Sequence, residues 1–298
     1  MARVVLLDGG MGQELVARSG DAPTPLWATR VMLDHPGLVR AIHADYFDAG
    51  ATVATLNTYA IHHDRLEGFG LDHLFEGLHR AALAEAEAAR AAHGSGRLAA
   101  SLGPLVASYR PELCPAPEVA EGKYAEIARL LGPHVDLVIC ETMASVAQAE
   151  GALRGAAAAG RPVWLSVTVD DADGTRLRSG EPVAALAPVI AAHGPAAVLA
   201  NCSVPEAMAA ALAELARFGR PFGAYANGFT HIAPAFLADR PTVDALEARH
   251  DLTPEVYAAM ALGWVAQGAT IVGGCCEVGP RHIAALAGAL RAAGHEIA

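Results

Sequence analysis

Cys202, Cys275 and Cys276 are the residues of this sequence best suited to chemistry. Cys202 follows Asn201 at the end of an apolar run, and Cys275-Cys276 follows Gly273-Gly274 at the end of another. Three thiolates form a soft ligand set that suits zinc, and a catalytic zinc takes three protein ligands while keeping a fourth position open. Adjacent cysteines reach one metal only where the chain bends tightly, which the preceding glycines permit. A redox pair made by Cys275 and Cys276 is the competing reading. Cys114 and Cys140 read as core thiols.

Asp8 and Glu141 form a second group, each at the end of an apolar run. A carboxylate at the end of a buried strand is costly unless it binds something. Glu141 has no basic neighbour in sequence, and the alternative for Asp8 is to cap the turn that follows it. Together the two carboxylates attract an ammonium group. The bare amides of Gly9 and Gly10 offer a small anion nest for a carboxylate, so a zwitterionic amino acid fits. Trp27 and Tyr59, with Tyr225 and Trp264 in reserve, are candidate faces for a sulfonium or quaternary ammonium ion, although single aromatics are more often core. His62 and His63 read as solvated rim residues.

These residues need a scaffold that brings distant segments together. Eight short apolar, β-rich runs recur along the chain, at 4–7, 52–56, 98–102, 136–140, 163–169, 197–200, 221–226 and 269–272. Amphipathic stretches lie between them, at 36–49, 78–92, 119–131, 146–159, 205–218, 254–267 and 280–293. Pro36, Pro205, Pro254 and Pro280 are placed as first-turn prolines, Thr253 as a cap, and Gly50, Gly160 and Gly268 as stops. Runs apolar on both faces suit a parallel sheet covered by helices. Eight such units predict an α/β fold, a (β/α)8 TIM barrel formed by residues 1–298 as one domain. A doubly wound sheet is the alternative, but the glycines at 9, 10 and 12 have the wrong spacing for a dinucleotide turn. In a barrel, active sites sit at the C-terminal ends of the strands, where Asp8, Tyr59, Glu141, Asp170, Cys202, Cys275 and Cys276 all fall.

Composition narrows the partners. The 298 residues are 53% hydrophobic and 18% charged, a globular balance. The 21 Lys+Arg against 32 Asp+Glu give a net charge of −11, which disfavours nucleic acid and anionic membrane. Mean hydropathy is +0.30, but the most apolar stretch, 184–200, is interrupted by Pro188, His193, Gly194 and Pro195. Four apolar residues at 4–7 are too few for a signal-peptide core. The expectation is a cytoplasmic protein with reduced cysteines, acting on small molecules; a homo-oligomer is compatible with it.

At these residues the sequence resembles the zinc-dependent homocysteine S-methyltransferase family. The resemblance runs almost end to end. It begins with Leu7-Asp8-Gly9-Gly10-Met11-Gly12 and Pro25-Leu26-Trp27 and passes through the segment 45–51. Ser101-Leu102-Gly103-Pro104, Cys140-Glu141-Thr142, Asp173-Gly174-Thr175, Asn201-Cys202 and Gly273-Gly274-Cys275-Cys276 complete it. It implies a (β/α)8 barrel, zinc on Cys202, Cys275 and Cys276, Glu141 and Asp8 on the homocysteine amino group, and Gly9 at its carboxylate. Glu141 is thereby the candidate catalytic residue, and the implied reaction carries a methyl group to homocysteine, giving methionine. The chain departs from the family pattern at Ala200, at the segment 225–229 and at His62-His63. Thr142 stands where the betaine enzymes have an aromatic, and their long C-terminal extension is lacking. A small sulfonium donor, S-methylmethionine or S-adenosylmethionine, is therefore expected over betaine. Another small thiol or a selenol as acceptor, and a zinc-binding barrel without activity, are the remaining readings.

Overall fold

The computed structural model describes residues 2–238 and 242–298. Eight parallel strands follow one another: β1 (Arg3–Leu6), β2 (Val53–Thr55), β3 (Arg97–Leu102), β4 (Leu137–Met143), β5 (Val163–Val167), β6 (Ala197–Asn201), β7 (Phe222–Tyr225) and β8 (Ile271–Val272). β8 returns to β1 through the pairs Val5–Ile271 and Leu6–Val272. The last seam closes where Leu7 bridges Val53: Thr52 N–H donates to the Leu6 carbonyl at 2.7 Å and Asp8 N–H to the Val53 carbonyl at 3.1 Å. This is the (β/α)8 barrel that the eight apolar runs predict.

The strands are apolar on both faces because each is buried twice. One set of side chains packs under the helices. The other fills the barrel, with Leu7, Val53, Ala99, Leu137, Ile139, Trp164, Ala197, Leu199 and Ile271 in one interior cluster. Alternation by two carries that interior face upward to Thr55, Ser101, Glu141, Ser166, Asn201 and Tyr225. The topmost interior layer is thus polar, directly beneath the strand ends.

Several helix signals act as expected. Thr253 Oγ1 accepts from Val256 N–H and opens the helix Pro254–Ala266, and Gly268 beyond its end has φ +102°. Pro36 does not start a helix. It forms a turn with Gly37 (φ +92°), between the helices Trp27–Asp34 and Leu38–Asp48. Trp27–Asp34 and its predecessor Met11–Ser19 carry no start signal in the sequence, since neither has a side-chain cap. A ninth strand, β9 (Glu296–Ile297), pairs with β1 at Arg3 and Val4, and Thr52 Oγ1 donates to the Ala298 carbonyl at 2.8 Å. Two residues are too few to show a pattern, and the sequence does not announce it. Among the described residues, no helix is long and apolar enough to cross a membrane.

Candidate active site and metal centre

A cavity of about 720 Å³ opens at the C-terminal ends of the strands, and Asp8, Gly9, Gly10, Trp27, Tyr59, Glu141, Cys202, Cys275 and Cys276 all line it. The three thiols converge from β6 and β8. Their sulfurs lie within 4.8 Å of one another, with Cys202–Cys276 at 3.8 Å and Cys202–Cys275 at 2.8 Å. All are free thiols. Zinc–sulfur bonds of about 2.3 Å in tetrahedral array place sulfurs roughly 3.8 Å apart. The Cys202–Cys276 edge has that length, the Cys202–Cys275 edge is tighter, and the donor set fits zinc.

The loop bearing the cysteine pair is tied down on both sides. Gly274 N–H donates to the Asp8 carbonyl at 2.9 Å, Cys275 N–H to the Ala226 carbonyl at 2.9 Å, and Gly228 N–H to the Cys276 carbonyl at 2.8 Å. The glycines serve close approach, not a left-handed bend: none of Gly9, Gly10, Gly273 and Gly274 has positive φ. A Cβ on Gly9 would sit 2.0 Å from the Val278 carbonyl oxygen, and one on Gly274 2.2 Å from Val278 Cγ1. Gly10 N–H donates to that same Val278 carbonyl at 3.0 Å, so this half of the expected anion nest is already engaged.

Cys202 is held well below the usual thiol range because the Cys275 and Cys276 thiols donate to it; the Tyr109 hydroxyl, 3.1 Å from its sulfur, adds to the effect. Cys275 is correspondingly pushed up by donating to Cys202. Arg178 lies 5.0 Å from the Tyr109 ring centre and donates to Asp171 Oδ1 at 2.8 Å. Tyr109 itself is in the left-handed region at φ +61°, on the loop after β3.

Glu141 lies in the polar layer, and Asp8 meets that layer at Thr55. Asp8, 3% exposed, accepts from Thr55 N–H at 2.6 Å and Thr55 Oγ1 at 2.8 Å. Glu141, 8% exposed, accepts a short hydrogen bond from Ser101 Oγ and one from the Tyr225 hydroxyl at 3.1 Å. Burial pushes each up to about 7 in spite of these donors, and Glu141 repels Asp8 in addition. Among the described residues neither carboxyl has a cationic partner, and a buried ammonium would relieve both.

Glu141 projects from a break in β4. Pairing with β5 jumps from Cys140–Leu165 to Met143–Val167, and Thr142 between them has φ +62°. Asn201 spans this break: its Oδ1 accepts from Thr142 N–H at 2.9 Å and Ser166 Oγ at 2.8 Å, and its Nδ2 donates to Thr142 Oγ1 at 2.9 Å.

Trp27 and Tyr59 meet edge to face with centroids 6.4 Å apart. Tyr59 also shares a hydrogen bond with Ser108 at 2.7 Å and already faces Arg65, 5.7 Å from its ring centre. Among the described residues Trp27 Nε1 is buried without a partner. Of the reserve aromatics, Tyr225 reaches Glu141, whereas Trp264 packs in the core against Tyr257. The histidines are not rim residues. His62 is 2% exposed and edge-on to Tyr124, and His63 is held between Asp72 and Glu126. Asp170 turns to its own loop and accepts from Ala172 and Asp173 N–H. Cys140 is fully buried and Cys114 packs against the core, as expected. The sequence reading missed Thr55, Ser101, Asn201's side-chain role and Tyr109. The first three follow from strand parity; Tyr109 lies on an irregular loop with no periodic signal.

A (β/α)8 barrel with three converging thiols and paired buried carboxylates at the strand ends defines a class: a barrel enzyme with a trithiol centre. Residues 5–290 match the homocysteine S-methyltransferase family, and the chain belongs to that family of methyltransferases. The homocysteine S-methyltransferase of Escherichia coli (strain K12) is 29% identical over 307 aligned residues, covering 95% of this chain and 94% of that one. Homocysteine S-methyltransferase 4 of Zea mays is 28% identical, across 98% of this chain and 90% of that one. The metallated crystal structure of the homocysteine methyltransferase MmuM from Escherichia coli superposes with a TM-score of 0.79 at 26% identity, over 95% of each chain.

Proposed function

We propose that the chain, as one domain, moves a methyl group from a small sulfonium donor, S-methylmethionine or S-adenosylmethionine, to homocysteine, with zinc on Cys202, Cys275 and Cys276. The observation that carries this reading is the meeting in one cavity of three thiols with two buried carboxyls that have no cationic partner among the described residues. Zinc, when bound, supplies an open coordination position at which an incoming thiol is held as thiolate at neutral pH.

The chain's own residues do the rest. Glu141 and Asp8 receive the ammonium of homocysteine, and Gly9 borders its carboxylate. Trp27 and Tyr59 face the donor cation across the mouth. The homocysteine sulfur forms a bond to the methyl carbon, the donor's carbon–sulfur bond breaks, and its electron pair stays on a neutral thioether. The thiol's proton leaves to solvent when homocysteine binds. A thiolate and a sulfonium thus become two neutral thioethers. Such loss of charge is favoured where apolar side chains replace water, and Phe229 and Phe236 line part of this cavity. Alignment of the two sulfurs supplies the remaining advantage.

The test is a donor panel with homocysteine, reading methionine by mass. S-methylmethionine or S-adenosylmethionine should give methionine and betaine should not. Turnover with betaine alone, or with a different thiol or a selenol in preference to homocysteine, would overturn the assignment.

A further inference from the structure

We propose that Asn201 is a positioning residue that aims Glu141 and fixes its reach from the thiol centre, so that the acceptor's ammonium is read at one distance from its sulfur. The inference rests on the proposed role of Glu141. Asn201 is fully buried and does not line the cavity, so it acts through other residues. Among the described residues its three side-chain hydrogen bonds go to the adjacent strand β5 and the next strand, β4: Thr142 N–H, Thr142 Oγ1 and Ser166 Oγ. None goes to its own neighbour, Cys202.

What Asn201 holds is a conformation Thr142 would otherwise leave. A β-branched residue at φ +62° is strained, and it persists only where surroundings enforce it. In an unbroken strand Thr142 would face outward, beneath the helices. In the bulge both Glu141 and Thr142 line the cavity. Alternation already turns Glu141 into the barrel, and the bulge begins at the peptide that follows it, so the side chain that keeps the bulge in place fixes the backbone from which Glu141 projects. Ser101 and Tyr225 then meet its two carboxylate oxygens from β3 and β7.

The position of Asn201 gives this contact a second consequence. The next residue, Cys202, is also left-handed at φ +54° and supplies a sulfur to the centre. One dipeptide thus carries a thiol ligand and the anchor of the ammonium-reading carboxylate. A direct link between them sets the spacing against which an acceptor's length is measured. Homocysteine and cysteine differ by one methylene between sulfur and α-carbon, so this spacing is where they are told apart.

Cys202 does not depend on the Asn201 side chain. Its N–H donates to the Tyr225 carbonyl at 3.3 Å, and its carbonyl accepts from Thr168 Oγ1 at 3.3 Å. Asn201→Ala should therefore leave zinc content near that of the wild type while loosening the bulge. The experiment measures calorimetric affinities of wild type and N201A, at matched zinc content, for homocysteine, cysteine and 4-sulfanylbutanoate, which lacks the amino group. Homocysteine affinity should fall about tenfold and that of 4-sulfanylbutanoate less than about twofold, so preference for the amino group collapses and preference over cysteine narrows. Thr142→Gly in the N201A background should recover at least about threefold of the lost homocysteine affinity, since glycine takes positive φ without the anchor. Hydrogen exchange of the segment 140–144 in metal-free protein should accelerate in N201A and slow again in the double variant.

If N201A does not fold, Thr142→Val removes one of the two Asn201–Thr142 bonds at constant shape and should lower the homocysteine to 4-sulfanylbutanoate ratio about threefold. Glu141→Gln, measured alongside, separates the layers. An unchanged ratio in E141Q would defeat the proposed role of Glu141. A collapsed ratio in E141Q, with a wild-type ratio in folded N201A or in T142V, would overturn the role of Asn201 alone. Equal weakening of all three ligands in N201A would also overturn it.

Discussion

Glu141→Gln should change stability and binding in opposite directions. In the unfolded chain this carboxyl ionises near its ordinary 4.5, and in the folded protein burial raises it to about 7. Between those values the folded state keeps a proton that the unfolded state has released, so stability is full below about pH 4.5 and falls as pH rises through the window. At about 1.4 kcal/mol per pH unit, the loss above pH 7 is about 3 kcal/mol. Glutamine has no proton to lose, keeps an acceptor for Ser101 Oγ and nearly the same volume. E141Q should therefore gain on the wild type with rising pH, by up to about 3 kcal/mol at pH 8. Asp8 is raised to about 7 mainly by its own burial, which both proteins share; the smaller push from ionised Glu141 is lost in E141Q and adds to its gain. Homocysteine binding should meanwhile weaken by about 1.5–3 kcal/mol, roughly 10- to 150-fold, the size of a charge-assisted hydrogen bond. The assays are urea unfolding from pH 4.5 to 8 and calorimetry with homocysteine and 4-sulfanylbutanoate, at equal zinc content. A stability difference that does not vary with pH would refute the raised carboxyl. Unchanged homocysteine affinity would refute the ammonium contact even if the zinc centre is right.

Purified protein should carry about one zinc per chain by elemental analysis, and Cys275→Ala should lose most of it; full occupancy in that variant would refute the ligand set. Tyr109→Phe removes a donor to the Cys202 sulfur, so in metal-free protein Cys202 alkylation should move to higher pH, and an unmoved pH profile would refute that contact. Gly9→Ala forces a methyl group to within 2.0 Å of the Val278 carbonyl and should lower the thermal midpoint markedly, whereas wild-type stability would show that the β1 and β8 loops have room to part.

The barrel was legible because every strand is buried on both faces, which writes eight apolar runs into the sequence. The thiols were legible for a related reason: Cys202, Cys275 and Cys276 stand at the ends of such runs, and in a closed barrel strands six and eight share one mouth. What reading by strand ends missed was the layer just below. Thr55, Ser101, Ser166 and Asn201 look like ordinary polar residues inside or beside apolar runs, and only counting by twos from Val53, Ala99, Trp164 and Leu199 puts them in the barrel interior. The bulge at Thr142 breaks that count, and no local signal marks it, since threonine is a poor choice for positive φ. Its cause lies fifty-nine residues away in the Asn201 side chain. Tyr109, His62 and the fold of 11–34 were hidden for another reason: they belong to loops whose conformation is set by what they pack on. Residues whose roles depend on one strand's own pattern could be read from it. Those that depend on a contact between strands, such as Asn201 on Thr142, needed the closed barrel to bring the two together.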